Sequence, residues 1–537
     1  MTTPPPASVA PATRPELRNL LRAPGGFVAI AELVPWAGIL GDEKGEKALD
    51  TARELAADPR IAAMSITDNA GGHIKVSPAT LAEEFVARGE QVIVHVACRE
   101  RSRGALQSLG WELASRGMTN VLAITGDYPG EGYEGLPKPV FDIDSVALLR
   151  MYSDLEAELA ARARAQAARP FPGFFLGAAV NNHKRYEREV MPQYLKLAMK
   201  VREGADFVIS QVGYDARKDD ELLRWMRLHG LAAPVVANAY ILSLPVARVF
   251  HEGRVAGCVV SDELFAIAQR EAASPDKGRA FFLEFAARQV AIARGLGYAG
   301  IYISGHRSAG EVDRVLRTAD SYSPDDWRTF AREMRFSVPG EFHYFEEDPE
   351  TGLSSERIDR TYERSLREGA RRRARNRVPL AYRLNRVVHR QVFDPESAGF
   401  RAAGRFYAAA ERRHLLKPLH VLEEAAKVPM FDCRDCGDCS LPDIAYLCPE
   451  SHCAKNQRNG PCGGTNDGSC EVPGRECIWA LAYERLKPYG EELAMLERPP
   501  VIQDNALRRT SAWANTFLGR DHSGRLARRG ADGRPPA

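Results

Sequence analysis

Eight of the ten cysteines fall between Cys433 and Cys477, in the order CRDCGDC, CPESHC, NGPCGG, GSCEV and ECIW. Cys433, Cys436 and Cys439 follow C-x2-C-x2-C, with Cys448 eight residues or so beyond. Three thiolates at this spacing can wrap one face of an iron–sulfur cubane, and a fourth closes it. Zinc more often takes cysteine pairs with a longer gap, although these spacings would also permit a tetrahedral zinc site. Cys453, Cys462, Cys470 and Cys477 are spread more evenly, and suit a second cluster or a zinc. His452 is a possible substitute ligand. The glycines of GPCGG allow backbone N–H groups to approach a metal-bound sulfur.

A disulfide framework is the competing explanation. The first residues, MTTPPPASVAPATRP, contain no apolar signal segment, and no run of eighteen apolar residues follows. A cytoplasmic protein without a membrane span is therefore expected, and a cytosolic poise keeps thiols reduced. A structural zinc knot remains open beside the iron–sulfur reading.

The second set of chemistry-bearing residues lies in the first 310. Glu32, Thr67, Asp68, His95, Arg99, Thr125, Asp127, Asn181, Gln211 and Tyr240 stand at or near the ends of apolar, branched runs. A buried strand has no packing reason to end in a carboxylate. Any one of these residues could simply cap the next helix, but so many at equivalent ends point to one site.

The elements that must position them number eight: 27–33, 62–68, 91–98, 120–127, 174–181, 206–211, 233–240 and 299–305. None alternates cleanly with polar residues, as expected for strands buried on both faces. Helical stretches such as ALDTARELAADP and PQYLKLAMKVREG separate them. The order predicts an α/β fold, a (β/α)8 TIM barrel with its chemistry at the C-terminal strand ends. A doubly wound sheet would offer an early GxGxxG, which is absent after the first run.

The 537 residues suffice for two or three domains. Their 73 basic and 71 acidic side chains nearly cancel, which argues against a general nucleic-acid footprint. The local exception, GARRRARNR at 369–377, has no interleaved aromatic residue and reads as a solvated face or a domain contact. The expected organisation is a disordered tail over 1–19, the barrel over 20–315, a connecting segment over 316–383, a smaller Cys-rich metal-binding domain over 384–490 and a largely irregular tail over 491–537. The stretch from about Asp504 is expected to be disordered.

At LAITGDYP (122–129) the chain resembles the methylenetetrahydrofolate reductase family, whose flavin-binding turn follows the fourth strand. GADFVISQ (204–211) is similar to that family's segment after the sixth strand, and AELVPW (31–36) to its first strand. TDNAGG (67–72) and HVACRERSR (95–103) resemble the second and third strand ends of corrinoid-linked and acetogenic members. The Cys-rich part resembles the small partner subunit of acetogenic members, here fused in cis.

The resemblance implies a flavin-mediated hydride transfer that interconverts 5,10-methylenetetrahydrofolate and 5-methyltetrahydrofolate in one-carbon metabolism. It implies FAD or FMN, and NADH or a reduced electron-carrier protein as donor. Glu32 is the implied acid that opens the imidazolidine ring at N10, and Asp127 lies against flavin and pterin. Thr67, His95, Thr125, Gly126 and Lys200 fall at flavin-contacting positions, Gln211 at the folate-recognising glutamine, and Tyr240 at a stacking aromatic. GAAVNNH and YISGH depart from the family's fifth and eighth strand ends, which leaves FAD versus FMN and the nicotinamide site open. Two other readings compete: a methyltetrahydrofolate-binding methyltransferase barrel of a corrinoid or demethylation pathway, and a non-enzymatic docking scaffold. A homo-oligomer is possible. The Cys-rich domain is expected to act mainly on folding, and to pass electrons only if it lies at the barrel mouth.

Overall fold

The computed structural model describes residues 15–166, 171–366, 375 and 378–529. The basic stretch at 369–377 lies outside the described residues except for Arg375, which is exposed and sits 5.5 Å from the Tyr489 ring centroid.

Eight parallel strands close into a barrel in chain order. They are β1 (Val28–Leu33), β2 (Ile61–Ile66), β3 (Val92–Ala97), β4 (Asn120–Ile124), β5 (Phe175–Val180), β6 (Phe207–Ser210), β7 (Val235–Tyr240) and β8 (Gly300–Ser304). β8 closes the ring on β1, pairing Gly300 with Val28 and Ile303 with Ala31. Each strand is followed by at least one helix, so both faces are covered and the sequence runs are apolar throughout.

Two apolar layers follow from the period of two along a strand. Side chains turned outward pack beneath the helices in the larger core. Those turned inward, including Val28, Ile30, Ala63, Ile93, Phe175, Phe207, Ile209 and Val236, fill the barrel. The short helix Leu17–Arg22 joins this inner core through Leu17 and Leu21, which are buried. The structure thus begins before residue 20, because two leucines at helical spacing cover the barrel floor.

Residues 316–366 remain on the barrel. The helix Asp326–Glu333 packs on the helix Arg279–Leu296, and the hairpin of Phe345–Glu347 with Ser354–Ile358 lies against Ala216–Leu228. Arg217 fastens it by donating to the Phe345 carbonyl at 2.9 Å.

The smaller domain is helical, with cysteine-bearing loops between its helices. The chain beyond Asp504 differs from expectation. It carries the helices Ala512–Phe517 and His522–Arg529, and its polar side chains are spent on the cysteine loops. His522 Nδ1 lies 2.6 Å from Asp438 Oδ1, and Asn515 donates to the Gly437 carbonyl at 2.9 Å. Polar composition reads as disorder in a sequence; here the polar groups are paired and buried.

Candidate functional site

The same period of two delivers the site. Continuing each inward register toward the C-terminal end gives Glu32 after Ile30, Ser65 and Thr67 after Ala63, and His95 after Ile93. It gives Ala179 on β5 and Asn181 just past its end, Gln211 after Ile209, Asn238 after Val236, and Tyr302 on β8. A cavity of about 280 Å3 opens at this end of the barrel. Glu32, Thr67, His95, Thr125, Gly126, Asp127, Lys200 and Gln211 all line it. Of the expected folate and flavin residues, only Tyr240 is missing from the lining. Its ring meets Phe250 edge-on at 5.3 Å.

Glu32 sits among buried apolar neighbours and accepts a hydrogen bond from the Tyr302 hydroxyl at 3.1 Å. Burial disfavours its charge and lifts its pKa to about 7, although the Tyr302 bond pulls the other way. Burial takes His95 down to about 4, so its ring is neutral, and its Nε2 lies 2.8 Å from Ser65 Oγ. Lys200 donates to the Ala179 carbonyl at 2.5 Å; burial, with the charge of Lys196 beside it, lowers its pKa to about 7.

Asp127 is held on the turn after β4. Its Oδ2 accepts from the Gly71 N–H at 2.8 Å. The fully buried Arg99 donates to the Asp127 carbonyl at 3.2 Å and to the Asn69 carbonyl at 3.1 Å, tying two strand-end loops together. Arg99 does not line the cavity; it positions the loops that do.

Residues 455–471 supply the rest of the cavity wall. Lys455, Cys462, Gly463, Gly464 and Glu471 line it with the barrel residues. Lys455 donates to the Gly126 carbonyl at 2.7 Å and pairs with Glu471. Thr125 donates to the Gln457 side-chain oxygen at 3.3 Å. Asn181 and Lys184 donate to the Gly463 carbonyl at 3.3 and 2.7 Å. Gly257, at φ +80°, closes this seam: a Cβ there would lie 2.6 Å from Asn181 Nδ2 and 2.9 Å from the Gly463 oxygen. Nothing in local sequence pattern marks Lys455, Glu471, Asn238 or Tyr302. The first two lie more than 300 residues from the strand ends they face, and the last two read as ordinary strand interior.

The cysteines fall into two neighbourhoods. Cys433 feels the charges of Cys436 and Cys448, and Cys439 that of Cys448. Cys453 feels Cys462 and Cys470, and Cys477 feels Cys462 and Cys453. All ten cysteines are free thiols. Burial and the adjacent thiols push Cys436 and Cys453 up to about 11 and Cys477 to about 12. Donors nevertheless point at the sulfurs. The Gly464 N–H meets Cys462 Sγ at 3.4 Å, the Gln457 N–H meets Cys453 Sγ at 3.5 Å, and the Lys427 ammonium approaches Cys439 Sγ at 3.7 Å. His452 turns elsewhere, with Nδ1 3.0 Å from Ser451 Oγ. Separately, His420, Glu424 and Asp435 can each bring one ligand atom within 4.8 Å of the others. A hydrogen bond of 2.8 Å between His420 and Asp435 accounts for two of the three.

An eight-stranded barrel whose mouth is closed by a cysteine-bearing domain defines the class. Residues 42–272 match the family described as methylenetetrahydrofolate reductase, and residues 415–505 match the one described as methylene-tetrahydrofolate reductase C terminal. Together these give the chain a catalytic domain of the methylenetetrahydrofolate reductase family fused to that family's C-terminal domain. A search of curated proteins finds no match.

Among solved structures, a Clostridium thermocellum protein that binds two copies of 5-methyl-5,6,7,8-tetrahydrofolic acid aligns at 11% identity and TM-score 0.38, over 55% of this chain and 93% of that one. The Yersinia pestis DHPS with a pterine–sulfa conjugate aligns at 11% identity and TM-score 0.31, over 55% and 94%. The assignment rests on the sequence matches. Among the described residues no helix is long and apolar enough to cross a membrane.

Proposed function

We propose that the cavity reduces 5,10-methylenetetrahydrofolate to 5-methyltetrahydrofolate, or runs the reverse, with Glu32 as the acid at N10. The carrying observation is a carboxyl lifted to about 7 on the inward face of β1, in a barrel of this family. A carboxyl that keeps its proton near neutrality can donate it to a leaving amine, and the carboxylate can take it back in the other direction. The Tyr302 hydroxyl holds Glu32 in place for that transfer.

The donor set suits a flat, polar heterocycle. Thr67 Oγ1, Asn181 Oδ1 and Ser210 Oγ are buried with no partner, and all three residues line the cavity. Unpaired buried groups of this kind are costly unless a ligand completes them. Thr67, His95, Thr125, Gly126, Asp127 and Lys200 would hold a flavin, which supplies hydride when bound. Gln211 and Asp127 would hold the pterin edge, the amide offering both a donor and an acceptor.

For the cysteines the reading is iron–sulfur, carried by the C-x2-C-x2-C spacing of Cys433, Cys436 and Cys439 with Cys448 beyond. Thiols raised to about 11 or 12 also need a cation to ionise near neutrality. The place of Cys462 in the cavity wall favours electron passage from the second set into the barrel, in addition to the effect on folding. Purification without air, followed by iron, sulfide, zinc and flavin analysis, tests this reading. Bleaching by a reductant and reoxidation by methylenetetrahydrofolate support it. A colourless protein that binds methyltetrahydrofolate without redox change supports the methyltransferase alternative instead.

A further inference from the structure

Six lysines of the described residues are buried, and they divide into two kinds. Lys218 pairs with Glu221 at 2.7 Å, Lys427 with Glu423 at 2.9 Å, and Lys455 with Glu471. Lys184, Lys196 and Lys200 are 2%, 2% and 7% exposed. Among the described residues these three form no ion pair. Their protons go to uncharged oxygens instead. Lys184 donates to the carbonyls of Gly463, at 2.7 Å, and Thr465. Lys196 donates to the Gly460 carbonyl at 3.1 Å and the Gln457 side-chain oxygen at 3.2 Å, and Lys200 to the Ala179 carbonyl at 2.5 Å. Such bonds satisfy the N–H groups but cancel no charge, and a buried ammonium without an anion is costly.

The acids whose charge reaches these lysines are already engaged. Lys184 feels Glu189, which accepts from the Gly468 N–H at 3.2 Å. Lys200 feels Asp144, which accepts from the N–H groups of Val146 and Ala147 at 3.1 Å and of Asn459 at 2.8 Å. The three ammonium groups also converge on one place. Gly460 and Gly463, gripped by Lys196 and Lys184, flank Cys462 on either side. Lys184 and Lys200 both feel the Cys462 thiol, and Lys184 that of Cys477 as well. Lys196 and Lys200 stand one turn apart on the helix Glu187–Arg202, and so share a face.

We infer that Lys184, Lys196 and Lys200 are the counter-charges of an anionic metal centre on Cys453, Cys462, Cys470 and Cys477. This rests on the reading that these thiols bind metal. Four thiolates around a doubly positive core leave a net negative charge, whether the core is one divalent ion or a cubane. The barrel thus supplies the charge that the cysteine domain lacks at this centre. The first set is placed differently. Lys427, the buried ammonium beside Cys439, already shares its charge with Glu423. Reduction adds negative charge to a centre, and uncompensated ammonium groups favour it. The second set therefore holds an added electron better than the first. An electron passing between them comes to rest at the cavity wall, where Cys462 stands.

The test uses the full chain purified without air, as wild type, Lys184→Met, Lys196→Met and Lys184→Arg. Methionine keeps much of the lysine shape and removes the charge. In competition with EDTA, each methionine variant should hold the metal of the second set about tenfold less tightly, and Lys184→Arg should stay close to wild type. The metal of the first set should be unaffected in all four, which shows that the domain is folded. A loosened loop could also release metal, so the second readout is the midpoint potential, from a redox titration followed by electron paramagnetic resonance. Both methionine variants should move one centre to lower potential and leave the other in place, and arginine should restore it. For a zinc-loaded chain the retention series decides. Unchanged retention and unchanged potentials in both methionine variants would overturn the inference while the metal reading stands. A wild type without metal at its cysteines would overturn both.

Discussion

The barrel and the cysteine domain are held together by different physics. In the barrel, inward and outward side chains fill two continuous apolar layers, with polar residues gathered at the mouth and a few buried ion pairs, such as Lys218–Glu221 and Arg150–Glu203, among the outer helices. In the cysteine domain the buried positions include Glu423, Lys427, Asp438, Arg458, Asn459 and His522, and its own small apolar cluster centres on Tyr407, Ala514 and Phe517. Arg458 donates to Ser440 at 2.7 Å, and Asn459 accepts through its side chain from the Val501 N–H at 2.7 Å. The contrast teaches that the barrel rests chiefly on hydrophobic burial, whereas the second domain adds paired charges and its thiols to an apolar seam, including Ile478, Trp479 and Tyr483, that it shares with the barrel.

The largest expected effect comes from the thiols. Cys436→Ser, or removal of metal by a chelator, should release metal and expose the cysteine domain to proteolysis in one step. Structural metal contributes on the order of 10 kcal/mol of folding energy in small domains. Circular dichroism should retain most of the barrel signal. A metal-free chain with a protease-resistant second domain would break the contrast.

Phe207→Ala addresses the other half. Its ring is fully buried and stacks 4.8 Å from Phe175 inside the barrel. A loss of about 3–5 kcal/mol is expected, with metal content unaltered. Denaturant unfolding with parallel metal analysis checks both parts.

His522→Ala should cost about 3–5 kcal/mol in the cysteine domain, because it leaves Asp438 and Asp443 buried without their shared cation. Burial opposes charge on His522, but Asp443 and Asp438 outweigh it and raise the pKa to about 9. The stabilisation is full below the ordinary 6.5 and is lost as pH rises through about 9. Amide exchange around Asp438 reads it locally, since Arg525 still contacts that carboxylate at 3.0 Å.

Glu32→Gln is expected to have the smallest stability effect, and of opposite sign. A carboxyl lifted from 4.5 to about 7 penalises the fold as pH rises between those values, and fully above 7. The variant should be about 1–3 kcal/mol more stable than wild type at pH 8 and no different below pH 4. Equal melting at both pH values would show that Glu32 is not strained by burial.

The barrel was legible because its signal is local. Each strand is a short apolar run, and the register that fills the interior also aims Glu32, Thr67, His95 and Gln211 at the mouth. Tyr240 shares that parity yet leaves the cavity, because its ring packs on Phe250, a tertiary contact the sequence does not announce. The cysteine spacing told which thiols neighbour one another. It could not tell that Lys455 and Glu471 would finish the cavity, since their partners at Gly126 and across the wall lie far away in the chain. The segment beyond Asp504 read as disordered because burial of polar residues depends on partners such as Asp438 and Glu423, not on composition.

The most direct test of the account is the pH dependence of a single turnover, in which prereduced protein is mixed with 5,10-methylenetetrahydrofolate. If Glu32 gives the proton, the wild-type rate falls tenfold per pH unit above about 7. Glu32→Gln should be slower by about 10²–10⁴ and should lose that limb while retaining its metal and its fold. A Glu32→Gln protein that turns over at the wild-type rate, or that keeps the same pH limb, would contradict the assignment of this carboxyl as the acid of the barrel.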